Sequence, residues 1–128
     1  MKLIHSKSKK EYLLASIIRE EIIMQRRKVT FIDCQNRIDQ YMFRRDEIEM
    51  IMDNLFLCRM DRFFDFLERL ETIHDDPYFQ KSHTLLISSW HTLMDGMDED
   101  DRRFYLEKVD EAIQKIGREG GKEVVVLE

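Results

Sequence analysis

One proline, four glycines and two cysteines in 128 residues leave little to punctuate or staple this chain. Cys34 and Cys58 form no CxxC pair, so neither a zinc-ribbon pattern nor a disulfide framework is present, and reduced thiols in an intracellular, cytoplasmic setting are expected. No stretch approaches the roughly 20 apolar residues that a membrane-spanning helix requires. The opening MKLIHSKSKK turns polar almost at once, which predicts neither a signal peptide nor a membrane anchor. Glycine is equally informative by its placing. The only doublet, Gly120-Gly121, follows the last helical pattern instead of preceding one, so no glycine-rich loop is available to cradle a phosphate. A G-x-S-x-G elbow is missing too, and neither cysteine has a histidine near it in sequence.

What remains is 43% apolar and 37% charged residues with no low-complexity run, the balance of a globular chain of amphipathic elements. A chain this long buries roughly two-thirds of its extended surface, so a core needs no metal or disulfide to support it. The charge is unevenly placed. Residues 1–45 carry eleven Lys/Arg against five Asp/Glu, whereas residues 46–128 carry ten against twenty-one, within a net charge of −5. Such blocks fit local neutralisation between the halves, an anionic partner, or self-association through unlike faces.

Helical periodicity is the pattern that the sequence shows most often. Ser8-Lys9-Lys10-Glu11 reads as a capping box that opens a first helix, with Leu13, Leu14, Ile17, Ile18, Ile22 and Met24 on one side and Arg26, Arg27 and Lys28 in its last turn. Thr30 with Asp33 predicts a second start near Phe31, and Asp46 with Glu49 a third after a break between Phe43 and Asp46. From Asp46 to His74 a step of about 100° per residue collects Ile48, Ile51, Leu55, Phe66, Leu67 and Leu70 on one arc. Asp76-Pro77 is a cap and first turn, predicting a fourth helix to about Gly96. Asp98 to Asp101 is an acidic first turn for a fifth helix through about Ile116. The β-branched tail after Gly117 reads as an extended segment without a partner. The expected fold is therefore all-α: one domain over residues 1–128, a compact bundle of four to five amphipathic helices, with a short extended tail in 118–128.

Within the long helical pattern, Met50, Leu57 and Phe64 stand seven apart on an otherwise acidic side, a seam suited to a partner helix or a symmetric dimer. This supports a small, non-enzymatic adaptor or regulatory module that binds another protein or itself, without a cofactor. Two alternatives stand beside it. Lys9, Lys10, Arg26, Arg27, Lys28, Arg44 and Arg45 sit near helix ends, where convergence would suit a nucleic-acid backbone. His74-Asp75 resembles the histidine-aspartate doublet of the HD superfamily of metal phosphohydrolases, which implies an all-helical enzyme with an earlier histidine and a later aspartate as metal ligands. Only His5 precedes the doublet, outside any packed helix. Glu71-x-x-His74 matches one half of a di-iron carboxylate motif, and neither His83 nor His91 supplies the second half.

Overall fold

The computed structural model describes the backbone of residues 2–4, 10–35 and 38–127, and the side chains of those segments from Leu13 onward. It is built on a sheet, not a bundle. Five strands, β1 (Lys2–Ile4), β2 (Val29–Asp33), β3 (Leu55–Arg59), β4 (Thr84–Ile87) and β5 (Glu123–Leu127), form one sheet in the order β1-β5-β4-β2-β3. Every neighbouring pair is parallel. Five α-helices connect them: α1 (Lys10–Ile18), α2 (Arg45–Asn54), α3 (Phe63–Glu71), α4 (Pro77–Lys81) and α5 (Glu99–Glu119). The expected all-α helical bundle is thus corrected to a mixed α/β fold.

Burial explains why these stretches are strands. Val29–Asp33 and Thr84–Ile87 are buried at every position, so they carry no polar face from which a period of two could be recognised. Their side chains nevertheless divide between two cores. Val29, Phe31, Leu86, Val125 and Leu127 face Leu14, Ile18 and Ile22 of the first helical segment and Ile51 of α2. Ile32, Leu85, Ile87, Val124 and Val126 face the other way, against Phe66 and Leu70 of α3 and Val109, Ile113 and Ile116 of α5. A parallel sheet needs both faces covered, and the chain supplies a helical layer for each.

The stretch from Asp46 to His74, read as one helix, is α2, β3 and α3 in succession. Leu55, Phe56, Leu57 and Cys58 are four apolar residues in a row, and pairing with β2 draws them into an extended strand. The start of α2 at Arg45 agrees with the expected break before Asp46. The helix expected from Phe31 is strand β2, and the one expected from Pro77 to Gly96 ends at Lys81, where β4 takes over. Other local signals match the structure. Asp76 accepts from the Tyr78 N–H with Pro77 in the first turn, and Asp98 caps α5 by accepting from the Asp101 N–H. The tail, expected to lack a partner, instead forms β5, paired with β4 on one side and β1 on the other. Ser8 and Lys9 of the first capping box lie outside the described residues.

One ion pair joins the helices of the first layer. Beyond α1 the helix continues as a wider π turn (Arg19–Met24), from which Arg19 directs its Nε to both Glu47 carboxylate oxygens at 3.1 and 3.2 Å. The same guanidinium donates to the Met42 carbonyl at 2.8 Å, and Glu47 also accepts from the Arg44 N–H at 2.9 Å. The Arg44 N–H and then Arg19 hold the Glu47 carboxyl below its usual range, against the opposing effect of burial. A depressed carboxylate stabilises the fold above its unfolded-state pKa, and that contribution is lost as pH falls through the folded value. Glu47→Ala should therefore lower stability by about 1–3 kcal/mol at neutral pH. Paired denaturant titrations should show the difference from wild type shrinking at acid pH.

Candidate interaction surface at the sheet edge

In an open parallel sheet, ligands sit outside the carboxyl ends of the strands where the strand order reverses. Here the chain moves outward from β2 to β3, then back past β2 to β4 and on to β5, so the reversal lies between β2 and β4. The groups at that point are engaged in holding loops. Ser88 Oγ accepts from the Cys34 N–H at 2.7 Å, and the Ser88 N–H donates to the Ile32 carbonyl at 3.1 Å. The buried Asp33 carboxylate accepts from the N–H groups of Gln35 and Ile38, folding the chain back over the end of β2. Cys34 lies among these groups, its thiol pushed up to about 12 by burial and then by the Asp33 charge. Burial raises Cys58 as well. The Cys34 thiol is therefore protonated at neutral pH.

The outer edge of the sheet is different. Among the described residues β3 pairs with β2 alone, leaving the backbone groups of its other edge unmatched by any strand. It contains no proline and no lysine, and its single charge is Arg59 at the end. A recess flanks each face of the strand. On the α2 side, a cavity of about 310 Å³ is lined by Leu57, Ile51, Met52, Ile38 and Phe43, with the Arg59 guanidinium donating to the Ile38 carbonyl at its rim. On the opposite side, a larger recess of about 810 Å³ runs between Phe56, Cys58, Thr72 and Tyr78, with the Arg69–Asp76 ion pair, 3.1 Å long, along one wall. The Phe56 and Tyr78 rings lie tilted by 33° with their centres 4.7 Å apart, and Lys28 Nζ lies 5.8 Å from the Phe56 ring centre. Met52 is 73% exposed, Tyr78 57% and Leu57 40%, so apolar surface continues from the strand onto both sides.

The structure separates the three residues of the expected seam. Met50 lies on α2, partly buried against the first core, Leu57 is on β3, and Phe64 is on α3. Only Leu57 belongs to the edge. Phe64 joins a different cluster, edge-on to Tyr105 at 5.2 Å, with Phe63 and Phe104 also against Tyr105. Helical periodicity placed Met52 and Phe56 on the apolar arc with the core, whereas the structure puts them, with Tyr78, at the edge. The signal available for Phe56 was the unbroken run Leu55–Cys58 between Asn54 and Arg59, too short for a helix of its own.

The basic residues do not form one patch. Arg26, Arg27 and Lys28 precede β2, and Arg44 and Arg45 follow it, so they lie toward opposite ends of the sheet. Arg27 pairs with Glu21, and Arg44 with Asp46 and Glu47. Arg26 adopts a left-handed backbone at φ 58°, turning the chain out of the π turn toward β2. Lys10 opens α1, and Lys9 and His5 lie outside the described residues. His74 sits in a short 3-10 turn, its ring edge-on to Phe79 and its Nε2 buried without a hydrogen-bond partner, while Glu71 and Asp75 face solvent. Among the described residues, no three carboxylate, imidazole or thiol groups converge as metal ligands. No described helix is long and apolar enough to cross a membrane.

Comparison of the chain with protein-family models and with curated proteins returns no match.

The raised cysteine pKa has a measurable consequence. Iodoacetamide at pH 8 should leave Cys34 unmodified in the native protein and alkylate both cysteines in denaturant. Because the unfolded thiol ionises near pH 9 and the folded one near 12, Cys34 stabilises the fold fully below pH 9, and this contribution falls away between those values. The pH-dependence of stability in that window should flatten in Cys34→Ala, by up to about 1.4 kcal/mol per pH unit.

Proposed function

We propose that this chain is a non-catalytic protein-interaction module of the cytoplasm, which accepts an extended segment of a partner along the free edge of β3. The observation that carries this reading is an apolar strand, Leu55–Cys58, with one edge unpaired and a recess on each face. An added strand gains main-chain hydrogen bonds from the edge. Its alternate side chains enter the two recesses, one set beside Leu57 and Met52, the other beside Phe56 and Tyr78. Affinity then comes from the backbone and selectivity from the recesses.

The other two readings have less support. A nucleic-acid regulator would need its cations on one surface, and Arg26–Lys28 are separated from Arg44 and Arg45 by the length of β2. An HD-type hydrolase would need a ligand cluster around His74, whose Asp75 neighbour points to solvent.

A panel of seven-residue peptides with alternating Val/Leu and Thr, capped at both ends, provides the probe. In ¹H–¹⁵N spectra, binding peptides should shift the amides of Leu55–Arg59 and slow their exchange. Leu57→Asp should weaken binding at least about tenfold while leaving far-ultraviolet circular dichroism unchanged, because an exposed site tolerates the charge and the apolar recess does not. Phe64→Asp should bind as wild type does. Peptides that shift residues elsewhere, or none that bind at concentrations where the chain is monomeric, would remove the edge-strand reading.

A further inference from the structure

We propose that the partner taken up by this edge is a second copy of the chain, with the two β3 strands antiparallel about a two-fold axis at Leu57, so that two five-stranded sheets continue into one. The inference rests on the edge-strand reading above and adds the identity of the occupant.

Symmetry limits the registers. A two-fold that pairs neighbouring strands antiparallel in one sheet stands perpendicular to that sheet, so each residue keeps its face. Residues directly opposite in an antiparallel pair share a face, and side chains alternate along the strand. The axis must therefore pass through a residue, not between two. An axis at Phe56 pairs only Leu55 to Leu57 within the strand. One at Cys58 sets Leu57 against the second copy's Arg59 and leaves Leu55 outside the pairing. An axis at Leu57 pairs all five residues: Leu57 with Leu57, Phe56 with Cys58, and Leu55 with the aliphatic stem of Arg59. Both apolar faces then meet apolar residues.

Charge favours the same orientation. Asp53 precedes the strand, and Arg59, Asp61 and Arg62, which together leave a net positive charge, lie at its other end, all four exposed. An antiparallel second copy sets the Asp53 end of each strand against the Arg59 end of the other, at two symmetry-related places. A parallel copy would oppose like ends.

Closure provides the third argument. An apolar edge that pairs with no further strand among the described residues and contains neither proline nor lysine is an aggregation hazard unless something covers it. The opposite edge of the sheet is β1. Pairing β3 with β1 of another copy would propagate without limit, whereas β3 with β3 consumes the edge in both copies and stops at two. The exposed Met52 side chains on α2 and Tyr78 on α4 then flank the joined strands, on opposite faces of the sheet.

The test is the molar mass of the full chain by light scattering after size exclusion, from micromolar to millimolar concentration, together with site-directed cross-linking. The expected result is a species of twice the 15.6 kDa chain mass. Leu57→Asp should raise the dimer dissociation constant at least a hundredfold with circular dichroism unchanged. In a Cys34→Ala, Cys58→Ser background, Leu57→Cys should give a covalent dimer with a short bis-thiol cross-linker, because opposed Cβ atoms in such a pair lie about 4.5–5.5 Å apart. Tyr41→Cys and Phe64→Cys in the same background should stay unlinked. A dimer that Leu57→Asp leaves intact, or linkage through Phe64→Cys but not Leu57→Cys, overturns the proposal. A monomer at all concentrations also overturns it. If that monomer still binds the heptapeptides at β3, only the second copy is wrong, and if it binds none, the edge-strand reading falls with it.

Discussion

The pairing of β2 with β4 is the contact on which the rest of this molecule depends. It brings Phe31 beside Leu86 and Ile32 beside Ile87, residues more than fifty positions apart, and makes both strands interior to the sheet. An interior parallel strand must be covered above and below, so everything else follows as cover. The first helical segment and α2 close one face, and α3 and α5 close the other. The half-buried Arg19–Glu47 pair fixes the position of α2 within its layer, and Phe66 stacked on Trp90 joins the second layer to the end of β4.

That arrangement also decides where apolar surface is left exposed. The reversal of strand order, where many α/β proteins hold a ligand, is closed here by loop hydrogen bonds from Asp33 and Ser88. Both thiols are buried enough to stay protonated at neutral pH. Exposed apolar surface accumulates instead at the lateral edge. The side chains around β3 are neither a solvated face nor a finished core: Leu57 and Met52 line one recess, Phe56 and Tyr78 the other.

The reading of residues 46–74 shows how far sequence patterns carry. Helical phase from Ile48 through Ile51 and Leu55 to Phe66 and Leu70 is real in α2 and α3 taken separately, and it is continuous across β3 only by coincidence. A five-residue strand shifts the count by little more than one helical turn, and Leu55 stays in phase although its backbone is extended. The seam of Met50, Leu57 and Phe64 came from that coincidence. Of the three, Leu57 alone lies at the edge, and its importance there owes nothing to a spacing of seven.

By itself the sequence determined the features set by short-range chemistry. Asp76-Pro77 and Asp98 start helices because their carboxylates satisfy backbone N–H groups two or three residues on, and the β-branched tail after Gly121 is extended because its side chains favour that backbone. The lack of a glycine-rich phosphate loop was equally plain. Only tertiary structure decided that Val29–Asp33, Leu55–Arg59 and Thr84–Ile87 are strands. A strand buried on both faces is apolar throughout and carries no period, and the hydrogen bonds that make it a strand come from residues far away in the chain.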